Sequence, residues 1–109
     1  MPAAPGVVLE GNTLLVTGEV DALNAPALRR QGEELIETAP GSGLTVDLAG
    51  LATASSVLLS LLLCWQRAGV ARDLSLSFTG ASADLAELAR LNGVAAVLPG
   101  FKTPGQTAP

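Results

Sequence analysis

Hydrophobic and polar positions change their period several times along the chain. Val7 to Glu10 and Thr13 to Val20 alternate as half-buried strands do, and Gly11-Asn12 between them suits a tight hairpin turn. Asn24 can cap a helix that carries Pro26 in its first turn, where a missing N–H is harmless. Ala25, Leu28, Gly32, Leu35, Ile36 and Ala39 then fall on one helical face with the charges opposite, until Pro40-Gly41-Ser42-Gly43 ends the run. Leu44 to Leu48 reads as a buried strand, Ser56 to Gly69 as an apolar helix, and Leu74 to Phe78 alternates again. A last helix runs from Ser82 or Ala83 to Asn92-Gly93, with Leu85, Leu88 and Ala89 inward and Asp84, Glu87 and Arg90 outward. Val94 to Leu98 suggests a short edge strand.

This order predicts one α/β domain: a mixed sheet of four to five strands with about three helices packed on it, and right-handed crossovers between its parallel strands. The expected organisation is a disordered segment over residues 1–6, a domain over 7–99, and a disordered tail over 100–109, where Thr103, Pro104, Gly105, Gln106 and Thr107 offer no core.

The apolar helix carries more hydrophobic positions than one face needs. At 100° per residue, Val57, Leu58, Leu61, Leu62, Cys64, Trp65 and Ala68 share one broad side. Ser56, Ser60, Gln66 and Arg67 fall on the other, and Leu59 and Leu63 fall among them. Two leucines are therefore expected in solvent beside two small hydroxyls, a mark of a protein-binding surface. The serine pair Ser55-Ser56 stands in the first turn. Unpaired N–H groups and partial positive charge let a hydroxyl there cap, touch a partner or accept phosphate.

Composition narrows the function. The chain has 109 residues, 49% of them hydrophobic, yet only Trp65, Phe78 and Phe101 are aromatic, so the core must be built from Leu, Val and Ala. A net charge of -4 and the absence of any basic run speak against nucleic acid. With no His and a single Cys, an intrachain disulfide, His-based proton transfer and an ordinary zinc site are excluded. Cys64 reads as a small buried hydrophobe. The N-terminus has neither the charge nor the apolar run of a signal peptide. The longest apolar run, Val57 to Trp65, falls short of the roughly 20 residues a membrane span needs. A cytoplasmic chain without membrane insertion is expected.

Glu19 and Asp21 past a strand end read as turn residues, and Asp47 as a carboxylate that bonds loop N–H groups. Gly41-Ser42-Gly43 lacks the Lys and helix of a phosphate loop. These features predict no enzyme and no cofactor.

Four elements in order carry a family resemblance: Gly18-Glu19-Val20-Asp21 after the second strand, Val46-Asp47-Leu48 in the central strand, a serine opening the next helix, and Leu88-Ala89-Arg90-Leu91 leading to Val97-Leu98-Pro99. From about Thr13 to Pro99 the chain resembles STAS domains, the fold of anti-sigma-factor antagonists and of a small subunit of phospholipid ABC transporters. Within that family it looks most like the MlaB-like branch.

The resemblance places Ser56 at the family's central hydroxyl. Ser55 stands where Asp is usual, and Val57 and Leu58 where glycine is usual. Loss of that acid and those glycines disfavours kinase recognition and favours the transporter branch. The resemblance then implies a cytoplasmic, non-catalytic subunit, peripheral on the inner membrane, in a complex that maintains outer-membrane lipid asymmetry. It would bind an MlaF-like ABC ATPase, and indirectly the permease, through Ser55, Ser56, Leu59, Ser60, Leu63 and Arg67. The alternative it implies is an anti-sigma-factor antagonist regulated by phosphorylation of Ser56.

Overall fold

The computed structural model describes residues 5–52 and 54–101. In chain order the elements are β1 (Gly6–Glu10), β2 (Thr13–Gly18), α1 (Ala25–Thr38), β3 (Gly43–Leu51), α2 (Ser56–Ala71), β4 (Ser75–Thr79), α3 (Ala83–Leu91) and a 3-10 turn (Ala95–Val97). The sheet order is β1-β2-β3-β4; β1 runs antiparallel to β2, and the other neighbours are parallel.

Period-2 patterning makes the sheet one-sided. Leu14, Val16, Leu44, Val46, Leu48, Leu76 and Phe78 are buried, while Thr17, Ser75, Ser77 and Thr79 on the opposite face are exposed. The crossovers from β2 to β3 and from β3 to β4 advance in one direction. Right-handed connection therefore puts α1 and α2 on the same face, where they pack on each other. Trp65 Nε1 donates to the Arg29 carbonyl at 3.1 Å across that contact. Arg72 at the end of α2 donates to the Ile36 carbonyl and, at 3.1 Å, to that of Ala39, so a cation satisfies the last carbonyls of α1. On the outer surface of α3, Arg90 pairs with Glu87 and its hydrogen bond holds that carboxyl below the usual range.

Three sequence expectations change. Val94–Leu98 forms no fifth strand. Gly93 turns at φ 71, and Val97 N–H bonds the Val94 carbonyl at 3.1 Å, so the segment has a period of three. Ala95 and Leu98 are buried and Ala96 and Val97 exposed, a spacing a strand cannot provide.

The domain also outlasts Pro99. Phe78 N–H donates to the Pro99 carbonyl at 2.8 Å, and Phe101 is buried with its ring 5.9 Å from that of Phe78. At the other end, Gly6 belongs to β1, opposite Thr17. The remaining residues assigned to the two disordered segments, 1–4 and 102–109, lie outside the described residues. Finally, Asn24 makes no side-chain cap for α1; its amide turns back into the preceding loop, which belongs to the site described next.

Candidate partner-binding surface

The loops that follow β2, β3 and β4 share one end of the sheet, the carboxyl end of its parallel strands. The first is cross-braced. Asp21 Oδ1 accepts from the N–H groups of Leu23 and Asn24, both at 2.9 Å. Asn24 Oδ1 accepts from Asp21 N–H, and its amide donates to the Glu19 carbonyl, again at 2.9 Å each. Glu19 and Asp21 thus belong to a turn, and the carboxylate of Asp21 spends its lone pairs on backbone. In β3 the register with β2 slips between Leu15 and Thr17, and one extra residue enters the strand. Asp47 Oδ1 accepts the Ala49 N–H at 3.0 Å beside that slip, so the carboxylate expected to bond loop N–H groups bonds one within its own strand instead. Gly80 is held against the same place at φ +73, where a β-carbon would come 2.8 Å from Ala49 N.

The serine pair divides its labour. Ser55, in extended conformation, is the N-cap of α2: its Oγ accepts from Leu58 N–H at 3.2 Å. Ser56 is the first helical residue and exposed, with its hydroxyl free of intramolecular bonds among the described residues. At the helix start this hydroxyl faces solvent amid partial positive charge.

Ser56, Ser60, Leu63 and Arg67 follow at intervals of four, three and four along one stripe of α2. Ser56, Ser60 and Arg67 are exposed. Leu63 is half-buried, its inner part packed on the core. Leu59 departs from expectation: it is 3% exposed and belongs to the core. Gln66, seven residues on and so on the same side as Leu59, shares a recess with Leu74, Leu76 and Pro99. That flank of α2 therefore faces β4 and the segment after α3. Neighbours on both flanks widen the buried arc beyond the half-circle a surface helix buries, which moves Leu59 and Gln66 out of the solvent face.

Beside the stripe, a groove of about 370 Å³ runs between α1 and α2, lined mainly by apolar side chains with Ser60, Cys64 and Arg29. Cys64 is half-buried here, on the groove wall and outside the core proper. Farther along, Arg29, Glu33, Cys64 and Arg67 line a second hollow. Arg29 and the 92% exposed Leu23, next to groove residue Ala22, are absent from the sequence-derived set. Leu23 lies before the helix, outside any periodic pattern, and its only sequence signal is an apolar residue in a loop. The arrangement offers contact: hydroxyls, the guanidinium groups of Arg29 and Arg67 beside the Glu33 carboxylate, and partly exposed apolar carbon. Among the described residues there is no cluster of His, Cys, Asp and Glu able to hold a metal.

The family model described as "Mlab, STAS domain" matches residues 6–99. No curated protein matches the chain. Among solved structures, the anti-sigma factor antagonist SpoIIAA in its unphosphorylated form superposes with a TM-score of 0.68 at 15% identity, over 94% of this chain and 91% of that one. An anti-sigma factor antagonist from Mycobacterium paratuberculosis gives 0.66 at 20% identity, over 94% and 87%. At such identities the likeness shows a shared fold.

Proposed function

The chain belongs to the Mlab STAS-domain family, and from that premise we propose that it is a non-catalytic module that binds and supports the ATPase subunit of a phospholipid-transporting ABC complex serving outer-membrane lipid asymmetry. The observation that carries this reading is the division of labour in the serine pair. Ser55 caps the helix, which leaves the Ser56 hydroxyl free to dock at the head of the stripe formed with Ser60, Leu63 and Arg67. The groove wall beside Ser60 adds apolar surface. A module of this kind acts by differential affinity: it binds the assembled, active arrangement of the ATPase more tightly than the alternative and so raises its population. The permease is reached through the ATPase. The domain then sits peripherally on the inner membrane, in keeping with the finding that no helix among the described residues is long and apolar enough to cross a membrane.

The test is titration of the purified chain against the ATPase encoded beside a lipid permease in the same genome. Wild type should bind and raise ATP turnover, and Ser56→Arg should weaken binding at least about tenfold, 1.4 kcal/mol. Equal binding by Ser56→Arg and wild type would remove this face from the interface.

A second reading rests on the same hydroxyl. Phosphate on Ser56 would place about two negative charges at a helix N-terminus, which the dipole tolerates and a close-fitting partner does not. This is the switch of an anti-sigma-factor antagonist. It requires phosphate on Ser56 after incubation with ATP and a partner kinase, and release of that partner by Ser56→Glu but not Ser56→Ala.

A further inference from the structure

We propose that the outer edge of β1 pairs with β1 of a second copy of this chain, antiparallel and centred on Val8, joining two four-stranded sheets into one. The hairpin sets which backbone groups are free. Glu10 and Thr13 flank the two-residue turn Gly11-Asn12, so they form a hydrogen-bonded pair, as then do Val8 with Leu15 and Gly6 with Thr17. The opposite side of β2 agrees: the Asn12 and Gly18 carbonyls accept from Thr45 and Ala52 N–H, at 2.9 and 2.8 Å, so the even residues face β3. Val7 and Leu9 therefore point both their N–H and C=O groups away from the sheet, and no strand among the described residues takes them.

The two edges of this sheet are treated differently. At β4 the chain itself intervenes, with Phe78 N–H bound to the Pro99 carbonyl and Gly100 so close that a β-carbon would stand 2.0 Å from the Phe78 oxygen. Among the described residues the β1 edge is guarded against strand addition only by its shortness and by Glu10 at its end. Its register is unbroken, and Gly6-Val7-Val8-Leu9-Glu10 contains no Pro or Lys.

A second copy fits this edge by symmetry. Centring the pair on Val8 sets Val7 opposite Leu9 of the other copy, twice, and all four outward N–H groups find carbonyls. Val8, 53% exposed on the open face, gains its counterpart as neighbour. On the helix side Val7 and Leu35 border a recess of about 380 Å³, and Leu9 of the second copy covers it. The charges permit this register. Glu10, the only charge in β1, lies opposite Gly6 and roughly 14 Å from its own counterpart. Glu34 also borders the recess, and its two copies approach each other. The association should therefore tighten with added salt. A five-residue strand and one recess lie at the small end of specific interfaces, so a dissociation constant of about 10–100 µM is expected.

Sedimentation of the full chain from about 1 µM to about 1 mM spans that range. Val8→Lys sets two ammonium groups across the symmetry axis and should weaken the dimer at least tenfold, with an unchanged melting midpoint. Val7→Pro deletes an outward N–H that the β1–β2 ladder does not use and should have the same effect. If Val7→Pro fails to fold, Val8→Lys at its exposed position still decides. A chain that stays monomeric to about 1 mM, leaving the edge to a strand of another protein, overturns the proposal. A dimer indifferent to Val8→Lys overturns it as well.

Discussion

The indole of Trp65 stands where a β-carbon on residue 32 would be: an ideal Cβ at Gly32 would lie 2.2 Å from Trp65 Cε2 and 2.3 Å from Nε1. Gly32 is mid-helix and buried, where alanine would ordinarily be the better helix former by about 1 kcal/mol. Here the sign reverses. Gly32→Ala must displace a fully buried ring that also donates to the Arg29 carbonyl. It should lower stability by about 1–3 kcal/mol, read as a fall in the urea midpoint at unchanged m-value.

Ser55 and Ser56 should separate in stability and function. Ser55→Ala removes the oxygen that accepts from Leu58 N–H and should cost about 1 kcal/mol in chemical denaturation. Ser56→Ala removes an exposed hydroxyl with no internal partner and should stay within about 0.5 kcal/mol of wild type. The reverse ranking would place the cap on Ser56.

Along α2, charge insertion maps which flank is covered. Leu59→Asp puts an unpaired carboxylate into the core and should cost several kcal/mol, enough to unfold the domain or nearly so. At half-buried Leu63 the new carboxylate can reach water, so Leu63→Asp should cost clearly less. Arg67→Glu, on the exposed stripe, should leave the melting curve within about 0.5 kcal/mol of wild type. Circular dichroism melts of the three variants test the ordering.

Arg72 ties the end of α2 to the end of α1 through the carbonyls of Ile36 and Ala39. Arg72→Met keeps most of the aliphatic stem and loses the charge-assisted bonds. It should destabilise by about 1–3 kcal/mol, and Arg72→Lys should recover only part of that, since one ammonium lacks the planar fork that spans two carbonyls. Hydrogen exchange should report faster opening of the last turn of α1 in Arg72→Met.

How much of this was legible depended on the range of the forces involved. Strand alternation, the Gly11-Asn12 turn, and the helical stripe of Leu28, Gly32 and Ile36 are local consequences of backbone period and short turn residues. The α/β order followed from them, and the succession of short motifs from Gly18-Glu19 to Leu98-Pro99 pointed to the STAS family, which the match over residues 6–99 shows. The candidate site was legible in outline: a serine pair at a helix start, with Ser60 and Arg67 on its outer side.

Tertiary packing decided the rest. A helical wheel assumes one buried half, and α2 has α1 on one flank and β4 with the segment after α3 near the other, so Leu59 is buried and Leu63 half-buried. The cap fell to Ser55 because the loop enters α2 extended at that residue, a backbone choice that two adjacent serines leave open. Phe101 joined the core because Phe78 offered a ring and an unpaired N–H to a segment whose composition reads as tail. Local sequence determined the elements and their order; which side of each element meets water was set by what packed against it, and that depends on residues far away along the chain.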